Sequence, residues 1–150
     1  MLKKIFNTQN DVGALIARIT LGIVIFPHGA QKALGWFGGY GYSGTMGFFT
    51  EQMGIPALFG FLAIVAEFAG PLGLLTGLLS RVAAFGIASV MTVAIATVHL
   101  GNGFFMNWYG NQKGEGFEYH LLVLGLALIV MIKGGGKFSL DKKLSEKIGA

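Results

Sequence analysis

The feature that most constrains this chain is a set of four apolar stretches, each close to the length of a helix that crosses a lipid bilayer. They cover residues 12–34, 56–79, 81–100 and 117–133. A crossing helix needs about 20 residues. Of the 150 residues, 53% are hydrophobic and only 12% are charged, which leaves too little polar surface for a globule in water. The chain is therefore predicted to be an all-α integral membrane protein, a single domain (1–150) built as a four-transmembrane-helix bundle.

The basic residues predict how the bundle is oriented. Basic residues accumulate on the cytoplasmic side of membrane proteins. If both termini are cytoplasmic, eight basic residues lie inside, namely Lys3, Lys4, Arg81, Lys133, Lys137, Lys142, Lys143 and Lys147. Lys32 and Lys113 then lie outside, and Arg18 lies within the membrane. This excess favours cytoplasmic N and C termini.

The connecting segments are predicted to lie at the two membrane surfaces. Residues 35–55 contain seven glycines and six aromatic residues, and residues 101–116 form a second aromatic segment. Aromatic rings favour the headgroup level, so both segments are expected in the outer interface. The tail 137–150 places Leu140, Leu144 and Ile148 on one helical face among lysines. We expect it to lie on the inner leaflet, attracted by anionic lipid.

Several classes of function are not supported by the sequence. The chain has no cysteine, which excludes disulfides, thiolate zinc sites and iron–sulfur clusters. The net charge of +4 comes from lysines at the chain ends, so nucleic acid is not an expected partner. No HxxH or HExxH spacing places two metal ligands on one helix, and neither a metal nor haem is expected.

Two charged residues lie where charge is costly. Glu67 is eleven residues after Pro56, about 16 Å along a helix. An ionised carboxylate near the bilayer midplane needs a partner or hydration. Arg18 is six residues inside the first stretch, and its axial offset from Glu67 is about 9 Å. An Arg18–Glu67 pair is therefore expected, and the sequence leaves open whether it is structural or whether Glu67 handles protons.

The three histidines all belong to the outer half of the predicted bundle. His28, His99 and His120 lie at a similar depth to Lys32 and Glu118. Together they could line an outward-facing pocket with Glu67 at its floor. A simpler alternative is that these imidazoles only form hydrogen bonds at a wet interface.

These residues, taken with their neighbours, resemble the DoxX family of small bacterial inner-membrane proteins. The matching segments are HGAQK (residues 28–32), GWFGG (35–39), EF (67–68), HLGNGFF (99–105), EY (118–119) and GGGKFSLD (134–141), together with Arg18, Gly22, Phe26 and Arg81. They extend over nearly the whole chain. The resemblance implies a four-helix membrane fold and a multi-pass location in the bacterial inner membrane.

The resemblance also implies a function. Relatives include a subunit of a thiosulfate:quinone oxidoreductase and proteins of quinone detoxification and oxidative-stress defence. We therefore expect an oxidoreductase subunit that binds a quinone or similar small aromatic molecule in the outward pocket. Glu67 would accept a proton, His28 and His99 would bond quinone oxygens, and Arg18 and Lys32 would supply positive charge. Glu118 and His120 would complete the binding residues.

The electron carrier does not follow from the sequence. Either a cofactor binds without a motif, or a soluble or membrane redox partner supplies electrons. The alternative function is non-catalytic, a membrane scaffold that docks a partner protein or a carrier of a small hydrophobic molecule. Association of several copies as a homo-oligomer is compatible with either function.

Overall fold

The helices of the protein follow its apolar stretches. The computed structural model describes residues 5–147, and this part of the chain is helical and contains no strand, which confirms the all-helical prediction. Its α-helices are α1 (Val12–Leu34), α2 (Gly41–Gly47), α3 (Ala57–Thr76), α4 (Ser80–Ala94), α5 (Glu118–Lys133) and α6 (Leu140–Lys147). A π-helical turn, Phe48–Gln52, extends α2. Further turns extend α4 to Asn102.

The four long helices form a closed ring in which α1 contacts α3 and α5, and α4 contacts the same two. The core between them includes Leu21, Ile25, Leu74, Ile87 and Val123. Successive helices alternate in direction. We call the end with residues 12, 76, 80 and 133 the terminal end, and the end with residues 34, 57, 102 and 118 the loop end.

Among residues 5–147, three helices are long and apolar enough to cross a membrane: Val12–Leu34, Ala57–Thr76 and Ser80–Asn102. Their large apolar side chains face outward around the ring, as expected for contact with lipid. The fourth long helix, α5, has 16 residues, fewer than the about 20 of a standard span. A fourth crossing therefore stays a prediction.

The second predicted stretch, 56–79, is helical over a shorter range because a turn begins at Gly77. Gly77 has φ 71°, a left-handed conformation that ends α3. The carboxylate of Asp141 then accepts hydrogen bonds from the backbone N–H groups of Leu79 (2.7 Å) and Ser80 (2.8 Å), and α4 begins at Ser80. The tail thus packs against the bundle through α6, and Ile148 lies outside the described residues.

The start of α1 is fixed by Asp11. Its carboxylate accepts a hydrogen bond from the Ala14 N–H at 2.7 Å and pairs with Lys133 at 2.5 Å. Lys133 and the Ala14 N–H hold the pKa of Asp11 below its usual value of 3.8. These contacts join the N-terminus of α1 to the C-terminus of α5.

Candidate functional site

The candidate site is built on a close contact between α1 and α3. Gly29 lies directly against the backbone of Glu67 and Phe68, and a β-carbon at Gly29 would overlap the Glu67 carbonyl group. Only glycine permits the two helices to approach so closely. Lys32 lies one turn beyond Gly29 on α1, so its side chain reaches the Glu67 carboxylate.

Lys32 and Glu67 form an ion pair. The Lys32 Nζ lies 3.1 Å from Oε1 and 3.0 Å from Oε2 of Glu67. Glu67 is buried, whereas the Lys32 side chain is 28% exposed. An isolated carboxylate would be costly in this helix, and the lysine charge compensates for much of that cost. The pair therefore places a buried carboxylate beside a cation that still reaches the surface of the bundle.

The predicted Arg18–Glu67 pair is wrong. Arg18 is 2% exposed and donates to five backbone carbonyl oxygens. These belong to Leu74 (2.6 Å), Leu75 (2.9 Å), Gly135 (2.6 Å), Lys137 (3.3 Å) and Phe138 (3.2 Å). The depth estimate failed because it assumed that helix ends are level, whereas α3 extends past the end of α1 at the loop end. Gly29 and Glu67 lie level with each other, but Gly29 is five residues from that end of α1 and Glu67 is ten residues from that end of α3. The ends of the two helices are therefore offset by about 8 Å.

Titratable side chains from α1 and α5 lie beside the ion pair. The ring of His28 lies 6.3 Å from that of Tyr119 and is close enough to Lys32 and Glu67 for electrostatic interaction. Tyr119 in turn interacts electrostatically with Glu67. Its buried hydroxyl has no hydrogen-bond partner within residues 5–147. His28, Glu67 and Tyr119 thus form one group of proton-bearing side chains, in which Glu67 is paired with Lys32.

The other two histidines form a pair beside this group. The rings of His99 and His120 are 4.0 Å apart, and His120 is 6% exposed. The Nδ1 atom of His99 lies 2.8 Å from the carbonyl oxygen of Glu115, while Nδ1 of His120 has no hydrogen-bond partner in the described part of the chain. A wet-interface role therefore fits His99 better than the buried His120. No cluster of three or more potential ligands arranged for a metal occurs in residues 5–147.

A cavity of about 300 Å³ opens beside Lys32 at the loop end. Its walls are formed by Gln31, Lys32, Gly38, Gly39, Tyr40, Thr45, Phe48 and Phe49. The predicted pocket lined by histidines is thus not this cavity, since of the predicted residues only Lys32 lines it. The cavity combines aromatic walls with an ammonium and a carboxamide group.

Glu118 does not join the site. Its carboxylate accepts hydrogen bonds from the Met106 N–H (2.8 Å) and from Nε1 of Trp108 (3.3 Å). It therefore holds the loop between α4 and α5. Tyr119 was not predicted as a site residue, although it lies between the two candidates Glu118 and His120 at the start of α5.

Comparisons with known proteins agree with this architecture. The DoxX family model matches residues 13–100, which include α1, α3 and α4. The chain belongs to the DoxX family. The inner membrane protein YqjF of Escherichia coli (strain K12) is 33% identical over 91% of this chain and 95% of its own length. A relative from Bacillus subtilis (strain 168), named "Putative oxidoreductase CatD", is 30% identical over 81% of each chain.

No solved structure matches this DoxX protein significantly. The family, the inner-membrane relative and the apolar helices together confirm the prediction of a multi-pass protein of the bacterial inner membrane.

Proposed function

We propose that this DoxX protein is an oxidoreductase subunit that binds a quinone or a similar small aromatic molecule in the cavity beside Lys32. The observation that carries the proposal is the double role of Lys32. Its side chain lines the cavity and also pairs with the buried Glu67. A ligand oxygen that bonds Lys32 therefore changes the electrostatic environment of a carboxylate that can take up a proton.

The cavity has the properties expected for such a ligand. Its volume of about 300 Å³ is at the lower end of the range for small-molecule sites. Phe48, Phe49 and Tyr40 offer faces for stacking against a planar ring. The Lys32 ammonium and the Gln31 carboxamide can donate to a quinone oxygen, and the ammonium stabilises negative charge that forms there on reduction.

In the proposed reaction, this chain transfers the protons and a partner protein supplies the electrons. Conversion of a quinone to a quinol consumes two electrons and two protons. A redox partner protein that carries a flavin or a metal centre supplies the electrons. Glu67 and His28 hold and transfer the protons, and Tyr119 on α5 is a further proton-bearing group beside them. Arg18 and Glu118, which make structural contacts elsewhere, have no part in this scheme.

The topology completes the proposal. We take α5 as the fourth crossing and both termini as cytoplasmic, which places the loop end and its cavity at the outer surface. A lipid-soluble quinone can then reach the cavity from the outer leaflet. A homo-oligomer remains compatible with this arrangement.

A binding experiment tests the proposal. We expect a short-chain quinone to quench the fluorescence of Trp36, which adjoins the cavity wall, in purified protein carrying Trp108→Phe. Lys32→Met combined with Glu67→Gln avoids an unpaired buried charge and should weaken binding by about tenfold or more, because a charged hydrogen bond is lost. Lys113→Met, in the exposed loop, is the matched control. Equal affinity in the double variant and the wild type would refute the site.

Activity separates the two functions considered for the chain. With membranes that contain the partner, a catalytic subunit should support quinone reduction that Glu67→Gln slows. If quinone binds in the cavity but is reduced equally well without this chain, the non-catalytic carrier function is favoured.

A further inference from the structure

Three residues other than glycine have a positive φ in the described part of the chain, and all three carry large apolar side chains. They are Phe37 (φ 53°), Leu79 (φ 53°) and Phe138 (φ 58°). Bulky residues rarely adopt this left-handed conformation, because their β-carbon is crowded by the backbone. Phe138 is also 74% exposed. Packing of the ring against the protein therefore does not explain why this strained position carries a phenylalanine, and a contact with another molecule would.

The backbone at Phe138 is fixed by its neighbours. The carbonyl oxygens of Lys137 and Phe138 both accept hydrogen bonds from Nη2 of Arg18. The Ser139 hydroxyl then accepts from the Lys142 N–H at the start of α6. Consecutive carbonyls can point at one guanidinium only if the chain turns sharply. Glycine would allow this turn without strain, so the backbone does not account for a phenylalanine here.

The backbone that precedes Phe138 lies level with the first turn of α1. The Lys137 N–H donates to the Asp11 carbonyl at 3.1 Å. A β-carbon at Gly136 would contact Leu15 N and Ala14 Cβ. Because α1 is a candidate membrane span that begins at Val12, we infer that the exposed ring of Phe138 lies near the edge of the apolar band. This is the level at which aromatic side chains meet lipid headgroups.

One ammonium group lies beside the ring. The Lys137 Nζ lies 5.1 Å from the centroid of the Phe138 ring, within the range of a cation–π contact. Lys142, Lys143 and Lys147 follow on α6. An apolar group at the membrane edge with an ammonium above it matches a lipid that carries a negatively charged phosphate.

We propose that Phe138 and Lys137 form a binding site for an anionic phospholipid at the terminal end. The ring inserts beside the upper acyl chains, and the Lys137 ammonium binds the headgroup phosphate. Apolar burial in lipid compensates for the left-handed backbone at Phe138. This inference is independent of the proposed quinone site, which lies at the loop end.

Quenching by labelled lipids tests the position of the ring. The only two tryptophans, Trp36 and Trp108, are changed to phenylalanine, and Phe138→Trp then gives a single fluorophore. In liposomes, nitroxides on the headgroup or upper acyl chain should quench it strongly, and a nitroxide at the chain end should quench it weakly. If no lipid label quenches this tryptophan in a folded variant, the proposed contact is wrong.

A second comparison tests the charge. At equal mole fraction, labelled phosphatidylglycerol should be enriched over labelled phosphatidylcholine by up to about fivefold near the fluorophore, as expected for one lysine at the surface. Lys137→Gln should reduce this enrichment, and Lys113→Gln at the loop end should not. Equal loss in both variants, or no enrichment, would overturn the assignment. So would abolition of the enrichment by inorganic phosphate at constant ionic strength, because the site would then prefer free phosphate.

Native mass spectrometry provides a measurement that needs no tryptophan variant. Wild-type protein in mild detergent should retain more phosphatidylglycerol than Lys137→Gln does. Equal retention by the two proteins would contradict the proposal even if Phe138→Trp fails to fold.

Discussion

Lys32 and Arg18 are two cations on α1 whose charges are stabilised by different kinds of partner. Lys32 is a flexible point charge, and it pairs with one carboxylate. Arg18 presents a planar fork of five N–H donors, and each of its contacts is to a backbone carbonyl. The first arrangement can respond to a ligand in the cavity, whereas the second fixes three segments of the chain together.

This difference predicts how substitutions combine. Lys32→Met and Glu67→Gln should show a coupling energy of about 0.5–3 kcal/mol in the free energy of unfolding, since the residues are in contact. Arg18→Leu and Glu67→Gln should instead be additive within about 0.5 kcal/mol. Arg18→Leu alone should cost about 3 kcal/mol or more, because several buried carbonyls lose a donor.

The measurement is reversible unfolding in mild detergent for each single and double variant. Arg18→Lys is the control for charge alone, and it should stay destabilised because one ammonium cannot reach all five oxygens. Strong coupling of Arg18 to Glu67, with none between Lys32 and Glu67, would contradict the contacts described above.

Glu67, Lys32 and His28 were predicted from the sequence as site residues, but the Lys32–Glu67 pair, Tyr119 and most of the cavity wall were not. A glutamate and an arginine in apolar stretches can be predicted to have specific partners, because burial of an unpaired charge is costly. Which cation reaches Glu67 depends on the axial offset of α1 and α3. That offset is set by the packing of Gly29 and by the connection through α2, and neither leaves a periodic signal in the sequence.

Among the helices, the contact between α1 and α3 is the one on which the site depends. Gly22 and Gly29 lie seven residues apart on α1, and both pack closely on α3. The position that this contact gives to Lys32 is evident only from the packing of the two helices.

Gly29→Ala should therefore separate α1 from α3. We expect a loss of about 1–3 kcal/mol in unfolding free energy, typical of overpacking, and weaker quinone binding because Lys32 moves relative to Glu67. The matched control is Gly125→Ala on α5, where a β-carbon meets no atom within 4 Å. That change should be neutral or stabilising by up to about 1 kcal/mol, because alanine favours helix. Similar melting of the two variants in detergent would show that the close contact is unimportant.

The existence of the long helices can be predicted from the sequence, but the residues at which they begin and end cannot. The long apolar runs indicate helices because the membrane leaves few alternatives. The ends are less evident, since α4 starts where Asp141 bonds the Leu79 and Ser80 N–H groups. That interaction joins residues more than 60 positions apart, so local sequence could not reveal it.

At the scale of the whole molecule, the two ends of the bundle differ in character. The terminal end is closed by the tail and carries most of the lysines, whereas the loop end holds the cavity, exposed aromatic rings and the titratable group. Such an asymmetry suits a protein that faces two different aqueous compartments.

We predict that the two ends of the bundle face opposite sides of the membrane. Reporter fusions at the C-terminus and within residues 105–112 should report opposite sides of the membrane, with the C-terminus in the cytoplasm. The 16 residues of α5 span about 24 Å, and a short span is accommodated by local thinning of the bilayer. A fusion after Ser80, near the terminal end, is the control and should agree with the C-terminus. If the 105–112 fusion also reports the cytoplasm, the four-span topology is wrong.

Because Arg18 binds only main-chain oxygens, it is indifferent to the side chains of the residues it holds. Exchanges at Lys137 would leave those oxygens in place, so this position can change without loosening the bundle, whereas Gly135 and Gly136 have no room for a β-carbon. A single insertion or deletion between Lys133 and Asp141 would displace the accepting oxygens that follow it in this stretch, and the Asp141 carboxylate with them. The length of the segment between Lys133 and Asp141 is therefore more constrained than the side chain at Lys137. An affinity tag belongs after Lys147 and not within that segment.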